Sequence, residues 1–232
     1  MKMPKIPLLT IFFAIALVIL VALGVIWKFN FFAIKPPDNT LEFLTYVDHG
    51  FKAEDRAVLE QKISDLENSL ATDEELAKDL SQWLVLGNMK YQLGDLAGAK
   101  EIYETKILRD HPDDAAALEN LGQTLYEMRD YAGAELKWRA AISVNPWEIT
   151  YLKLTNLIEE KFPARQSEIQ GILEEAIANL GQTTGLLKEL GMWFENDGQY
   201  ELALAHYKVA KQLTPDDSGI DELIAGVREK MK

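Results

Sequence analysis

The chain has 232 residues, a formal charge of −13 and no cysteine, which excludes disulfides, thiolate metal sites and thiol catalysis. All 37 acidic residues follow Pro37, so residues 36–232 carry 20 basic against 37 acidic side chains, a balance of −17. That charge repels nucleic-acid phosphates and disfavours lying flat on anionic lipid. It suits a basic partner segment, and it equally suits an array of helices that is merely solvated.

Ile6 to Trp27 is a run of 22 residues without a charge, rich in Leu, Ile, Val and Phe. As a helix it reaches about 33 Å, enough for a hydrocarbon core of about 30 Å. A cleaved signal peptide has an apolar region of only about 7–15 residues and a small-residue cleavage site. Val25-Ile26-Trp27-Lys28 offers no such site. Residues 1–35 are therefore predicted to be a retained signal-anchor, one transmembrane helix with Trp27 at the interface. Lys2, Lys5 and the amino terminus precede the run, and Lys28 and Lys35 follow it. The positive-inside rule then favours a cytoplasmic N-terminus and an extracytoplasmic remainder.

Pro36-Pro37-Asp38-Asn39 breaks the helix and opens a juxtamembrane linker over 36–52. Leu41, Phe43, Leu44, Tyr46, Val47 and Phe51 make it too apolar for a purely flexible tether. It either lies on the membrane surface or docks on the first helix of the domain behind it. In that domain, 53–232, Leu59, Ile63, Leu66 and Leu70 are spaced four, three and four apart, predicting a packing helix over 53–70.

Three segments then spell one pattern. Residues 83–112 contain Trp83, Leu86-Gly87, Gly94-Asp95, Ala99, Tyr103 and Pro112. Residues 118–146 answer with Leu118, Leu121-Gly122, Asp130-Tyr131, Ala134, Trp138, Ala141 and Pro146, and residues 187–215 with Leu187, Leu190-Gly191, Gly198, Tyr200, Ala203, Tyr207, Ala210 and Pro215. Gly122 lies 35 residues after Gly87, and Gly191 lies 69 after Gly122, or two periods. Leu118, Leu121, Leu125 and Met128 share one helical face, and Asp130-Tyr131 separates them from a second helix. Small residues let the paired helices approach, large ones fill the gap to the neighbour, and each proline stops a unit.

This pattern resembles the tetratricopeptide repeat, whose period is about 34 residues. The resemblance implies an all-α fold, a right-handed solenoid of helical hairpins, with repeats over 80–114, 115–148, 149–183 and 184–217. The third is degenerate: Thr155-Asn156 stands where Leu-Gly is expected, and Phe162-Pro163 interrupts the connection. It is either drift within a tolerant array or a locally altered groove. Ile220, Leu223, Ile224 and Val227 predict a capping helix over 219–231, opened by Asp221 and Glu222 and closed by Arg228, Lys230 and Lys232.

In the family, the first helix of each unit lines a concave peptide-binding surface. By register from the Leu-Gly pairs, the resemblance implicates Leu84, Asn88, Tyr91 and Gln92 in the first unit. It implicates Glu119, Gln123, Tyr126 and Glu127 in the second, and Lys188, Met192, Glu195 and Asn196 in the last. Tyr91 and Tyr126 occupy equivalent registers, either as an amphipathic peptide-binding wall or as packing between adjacent helices. One family subtype grips a peptide's terminal carboxylate with Lys and Asn residues. Asn88 and Asn120 match its asparagines, but Leu84 stands where its lysine is expected. That departure argues against carboxylate-tail recognition.

Catalytic and cofactor motifs do not emerge. His49, His111 and His206 fall in separate units without metal-ligand spacing. There is no P-loop, dinucleotide fingerprint or Gly-x-Ser-x-Gly elbow. The expectation is a non-enzymatic scaffold, without metal or cofactor, that binds a helical or extended protein segment. Similarity to bacterial membrane-anchored repeat proteins implies accessory roles in secretion, pilus, cytochrome maturation or outer-envelope assembly. The alternative is a self-associating subunit paired through the apolar stripes of its end helices.

Overall fold

Aspartates punctuate the chain, and in the computed structural model, which describes residues 43–232, they mark where helices begin. Helix α1 runs Ala53–Thr72. Asp73 caps the short α2, Glu74–Lys78, and Asp79 caps α3, Leu80–Leu93. Asp95 caps α4, Leu96–Ile102, which continues through a π turn at Tyr103–Ile107. Asp114 caps α5, Ala115–Glu127, and Asp130 caps α6, Tyr131–Val144. Helices α7, Glu148–Lys161, and α8, Glu168–Leu180, flank a 3-10 turn at Pro163–Arg165 and have no side-chain cap. Thr183 caps α9, Thr184–Asn196; α10 follows at Tyr200–Leu213, and Asp217 caps α11, Ser218–Lys230. Each capping oxygen accepts a backbone N–H that has no partner inside its helix, a contact worth about 1 kcal/mol. Part of the acidic excess is therefore committed to helix starts.

The helices pack as hairpins, α3 with α4, α5 with α6, α7 with α8 and α9 with α10, with α1 against α3 and α11 against α10. Among the described residues the architecture is an all-helical solenoid. Its pairing depends on a small residue facing a large one. A Cβ added at Gly87 would stand 2.5 Å from Tyr103 Cε1, and one at Gly122 would stand 2.5 Å from Trp138 Cδ1 and Nε1. One at Gly191 would strike Tyr207 in the same way. All three rings are buried, and each returns a hydrogen bond to the first helix of its hairpin. Tyr103 Oη donates to Asn88 Oδ1 at 2.7 Å, Trp138 Nε1 to the Glu119 carbonyl at 3.2 Å, and Tyr207 Oη to Glu195 Oε2 at 2.8 Å.

The third hairpin reaches the same end differently. Asn156 and Ile172 replace the glycine and the aromatic, and the buried ring is now Tyr151 on the first helix. Its hydroxyl donates to Glu175 Oε1 at 3.0 Å and accepts from Asn179 Nδ2 at 2.7 Å, both on α8. The Phe162-Pro163 connection is tied down by Arg165, whose guanidinium forks onto Glu135 at 2.6 and 2.8 Å and reaches Glu168 at 2.8 Å.

Both ends of the array are covered. Helix α1 buries Leu59, Ile63 and Leu70 against Leu86 and Ile102, and α11 buries Ile220 and Val227 against the last hairpin. The segment before α1 is extended and crosses the turns that end α3 and α5. Val47 N donates to the Gly94 carbonyl at 3.0 Å, Ala97 N to Thr45 O at 3.1 Å, and Leu44 N to Met128 O at 3.0 Å. Gly94 makes this possible: it has φ +88°, and a Cβ there would collide with the Val47 carbonyl. The described part of the linker thus docks mainly on two inter-helix turns, and meets α1 through Phe51 and through Arg56, which reaches Tyr46 and Asp48. Among the described residues no helix is long and apolar enough to cross a membrane. The run Ile6 to Trp27, predicted as the anchor, lies outside the described residues.

Candidate peptide-binding groove

The residues that the register implicates divide into three groups. Asn88, Tyr91 and Gln92 from α3 and Gln123 from α5 line a single recess of about 180 Å³, completed by Tyr103 and Asn120. Four carboxamides and two phenols offer both donors and acceptors without a formal charge, a chemistry that matches a peptide main chain. The recess is braced from within. Asn88 Oδ1 accepts from both Tyr103 Oη and Asn120 Nδ2, the latter at 2.9 Å. Tyr91 donates its hydroxyl to Glu127 Oε1, and Gln123 Nε2 approaches the same oxygen at 3.4 Å. Burial first, and then the Glu127 carboxylate, push the Tyr91 hydroxyl well above its ordinary range, so it stays a protonated donor.

A second group of implicated residues has structural partners. Glu119 pairs with Lys153 of α7. Tyr126 donates to Glu160 Oε2 at 3.0 Å, and its ring packs 5.6 Å from Tyr131 and 5.9 Å from Trp138. Of the two roles open to Tyr126, inter-helix packing describes these contacts. Lys188 pairs with Asp217 at 3.3 Å, and Glu195 takes Lys230 at 2.9 Å besides Tyr207. Lys188 and Glu195 therefore hold the end of the array to its last hairpin and do not enter the recess between α3 and α5. Leu84 is packed against the core of the first two hairpins.

Met192 and Asn196 lie on a second, smaller recess of about 90 Å³ between α7 and α9, with Thr155, Asn156, Trp193, Glu159 and Glu189. Burial, then the neighbouring Glu159 carboxylate, raise the Glu189 carboxyl above its ordinary range, with Lys188 pulling the other way. Neither Glu159 nor Glu189 makes an ion pair among the described residues.

Three residues near the first recess escaped sequence reasoning. Tyr103 looked like packing alone, and Asn120 carried only the carboxylate-grip resemblance. His49 is 43 residues from Gln92 and 78 from Glu127, yet it touches both. No spacing rule reaches that far. Among the described residues no group of three His, Asp or Glu side chains is placed to hold a metal ion.

The likeness to known proteins follows the hairpins. Residues 84–145, from within α3 through α6, match the family model described as tetratricopeptide repeat. The crystal structure of MamA, 19% identical, superposes with a TM-score of 0.58 over 75% of this chain and 99% of that one. YrrB, a TPR protein with an unusual peptide-binding site, is 16% identical and superposes with a TM-score of 0.52 over 70% of this chain and 81% of its own. A search of curated proteins finds no match to the chain. At these identities the superpositions speak for the fold, and the tetratricopeptide-repeat family is matched over residues 84–145, within an array of the same fold.

Proposed function

We propose that the chain is a membrane-anchored scaffold whose concave surface holds an extended or helical segment of another protein within a cell-envelope assembly. The fold is that of a protein-interaction scaffold, and a preformed surface of this kind binds with little ordering cost to itself. The observation that carries the site is the recess of Asn88, Tyr91, Gln92, Tyr103, Asn120 and Gln123. Its amides can pair with a peptide main chain while Glu127, and farther along Glu159 and Glu189, favour a basic sequence. The 22-residue apolar run supports the anchor, and its flanking lysines favour repeats on the extracytoplasmic side. Anchoring raises the effective concentration of the groove toward membrane-bound partners.

The test is crosslinked capture from solubilised membranes with the wild-type chain and with Gln92→Ala/Gln123→Ala. Neither glutamine is buried, so the variant should fold normally. Partners lost from the folded variant support the groove; partners retained by it overturn the choice of site. For topology, Asp216→Cys introduces the only thiol at an exposed position. Labelling of intact spheroplasts by an impermeant maleimide is expected, and labelling only after lysis reverses the orientation. The self-association alternative has lost its motive, because the stripes of both end helices are packed inside the array.

A further inference from the structure

The extended segment 43–50 is fastened across the ends of α3 and α5 by backbone hydrogen bonds and by the side chain of His49. His49 Nδ1 faces the Gln92 carbonyl oxygen at 3.0 Å, and Nε2 faces Glu127 Oε2 at 2.8 Å. A carbonyl and a carboxylate are both acceptors. Both ring nitrogens must therefore carry protons if both bonds are to form, so the fully docked side chain is an imidazolium. The contact also draws in the recess. Glu127 holds Tyr91 and Gln123 on its other oxygen, and the Tyr91 ring lies 5.5 Å from the imidazole, centroid to centroid. The charged and titratable groups around the imidazole are Asp48 on the segment itself, Tyr91 from α3 and Glu127 from α5. From α1, Arg56 stands 3.5 Å from Asp48 and donates to the Tyr46 hydroxyl at 2.6 Å. Val47 and Phe51 anchor the segment by packing on either side of His49.

We propose that residues 43–50 form a strap that closes one end of the groove while His49 is protonated and loosens when it is not, freeing Tyr91, Gln92, Gln123 and Glu127 for a partner segment. This rests on the groove being the binding face. Burial opposes the imidazolium, but the Gln92 carbonyl, Glu127 and Asp48 outweigh it and hold His49 above its ordinary value of 6.5. A raised value in the docked state means that the latch is complete below about pH 6.5 and is lost as pH climbs through the raised value.

The test is hydrogen exchange of the full-length chain in detergent between about pH 5.5 and 8.5, corrected for intrinsic exchange rates. The reporters are the Leu44 and Val47 amides, which donate to Met128 and Gly94. Their protection should fall about tenfold across that range, the loss expected when a charge-assisted hydrogen bond holding the strap is given up. His49→Gln should show the low value at every pH, and Glu127→Gln should move the midpoint down. Amides within α6 report that each variant is folded. Strap protection that ignores pH in the wild type, or that survives intact in folded His49→Gln, overturns the proposal. The reporters need no partner. A pH-dependent strap together with partner capture indifferent to Gln92→Ala/Gln123→Ala would sink the groove and leave the strap standing.

Discussion

Asn120 Nδ2 donates to Asn88 Oδ1 at 2.9 Å, so the two asparagines whose registers match a carboxylate grip are bonded to each other. Tyr103 Oη donates to that same oxygen. With Leu84 in place of a lysine and packed against the core, this pair braces adjacent hairpins. Asn88→Ala removes the acceptor of a buried phenol, which costs about 1–3 kcal/mol. Urea unfolding should show the loss, and Tyr103→Phe should remove most of the difference between Asn88 and Ala. Equal effects of Asn88→Ala in both backgrounds would mean the two groups are not coupled.

Two glycines should respond in opposite directions. Gly122→Leu drives a side chain into Trp138 and should lower stability by about 1–3 kcal/mol or more. Gly171, exposed within α8, has nothing within 4 Å of an added Cβ. Gly171→Ala should therefore be stabilising by up to about 1 kcal/mol, through helix propensity and a less flexible unfolded chain. Thermal unfolding of both variants checks the register directly. A tolerated Gly122→Leu would show that the hairpin is not packed through that slot.

Arg165 gives the irregular third hairpin a pH dependence. Its hydrogen bonds to Glu135, assisted by Arg139, hold the Glu135 carboxyl below the ordinary carboxylate range although burial opposes this. A depressed carboxylate contributes stability that is present above the ordinary value of 4.5 and lost as pH falls through the lower, folded value. Arg165 is partly exposed, so solvent screening limits the contribution to about 1 kcal/mol. Arg165→Ala should therefore be less stable than wild type near neutral pH, and the gap should close as acid protonates Glu135. Urea midpoints measured from pH 7 down to about pH 3 would show this; a constant gap would assign the loss to packing of the arginine stem.

The end of the array should depend on α11. Ile220 is fully buried beneath it, whereas Leu213, at the close of α10, is 50% exposed. Ile220→Ala should cost about 2–5 kcal/mol as a core truncation, and Leu213→Ala should stay within about 0.5 kcal/mol of wild type. Calorimetry on the two variants distinguishes a packed cap from a loosely attached tail.

Much of the hairpin architecture was written in local pattern. Apolar residues three and four apart fixed which face of each helix turns inward, and Leu86-Gly87, Leu121-Gly122 and Leu190-Gly191 marked where a ring must fit. Those signals are legible because helix geometry relates residues within a few turns, and stacking relates each unit mainly to its neighbour. The third hairpin shows the limit: Thr155-Asn156 and Phe162-Pro163 announced a departure, but nothing in their spacing indicated that Tyr151 would supply the ring from the opposite helix.

The polar assignments depended most on the folded molecule. The same register placed Asn88, Tyr91, Gln92, Glu195 and Lys188 on one nominal surface, and tertiary packing separated them into a recess and a set of end ties. Long polar side chains can reach several partners, and register does not say which one is nearest. His49 is the extreme case, brought to Gln92 and Glu127 only by the path of an extended segment over the Gly94 turn. Sequence alone determined the repeat, its period and its apolar faces, because these are periodic and local. Only the tertiary structure decided which polar groups remain free to bind, because that depends on chain crossings between residues far apart in sequence.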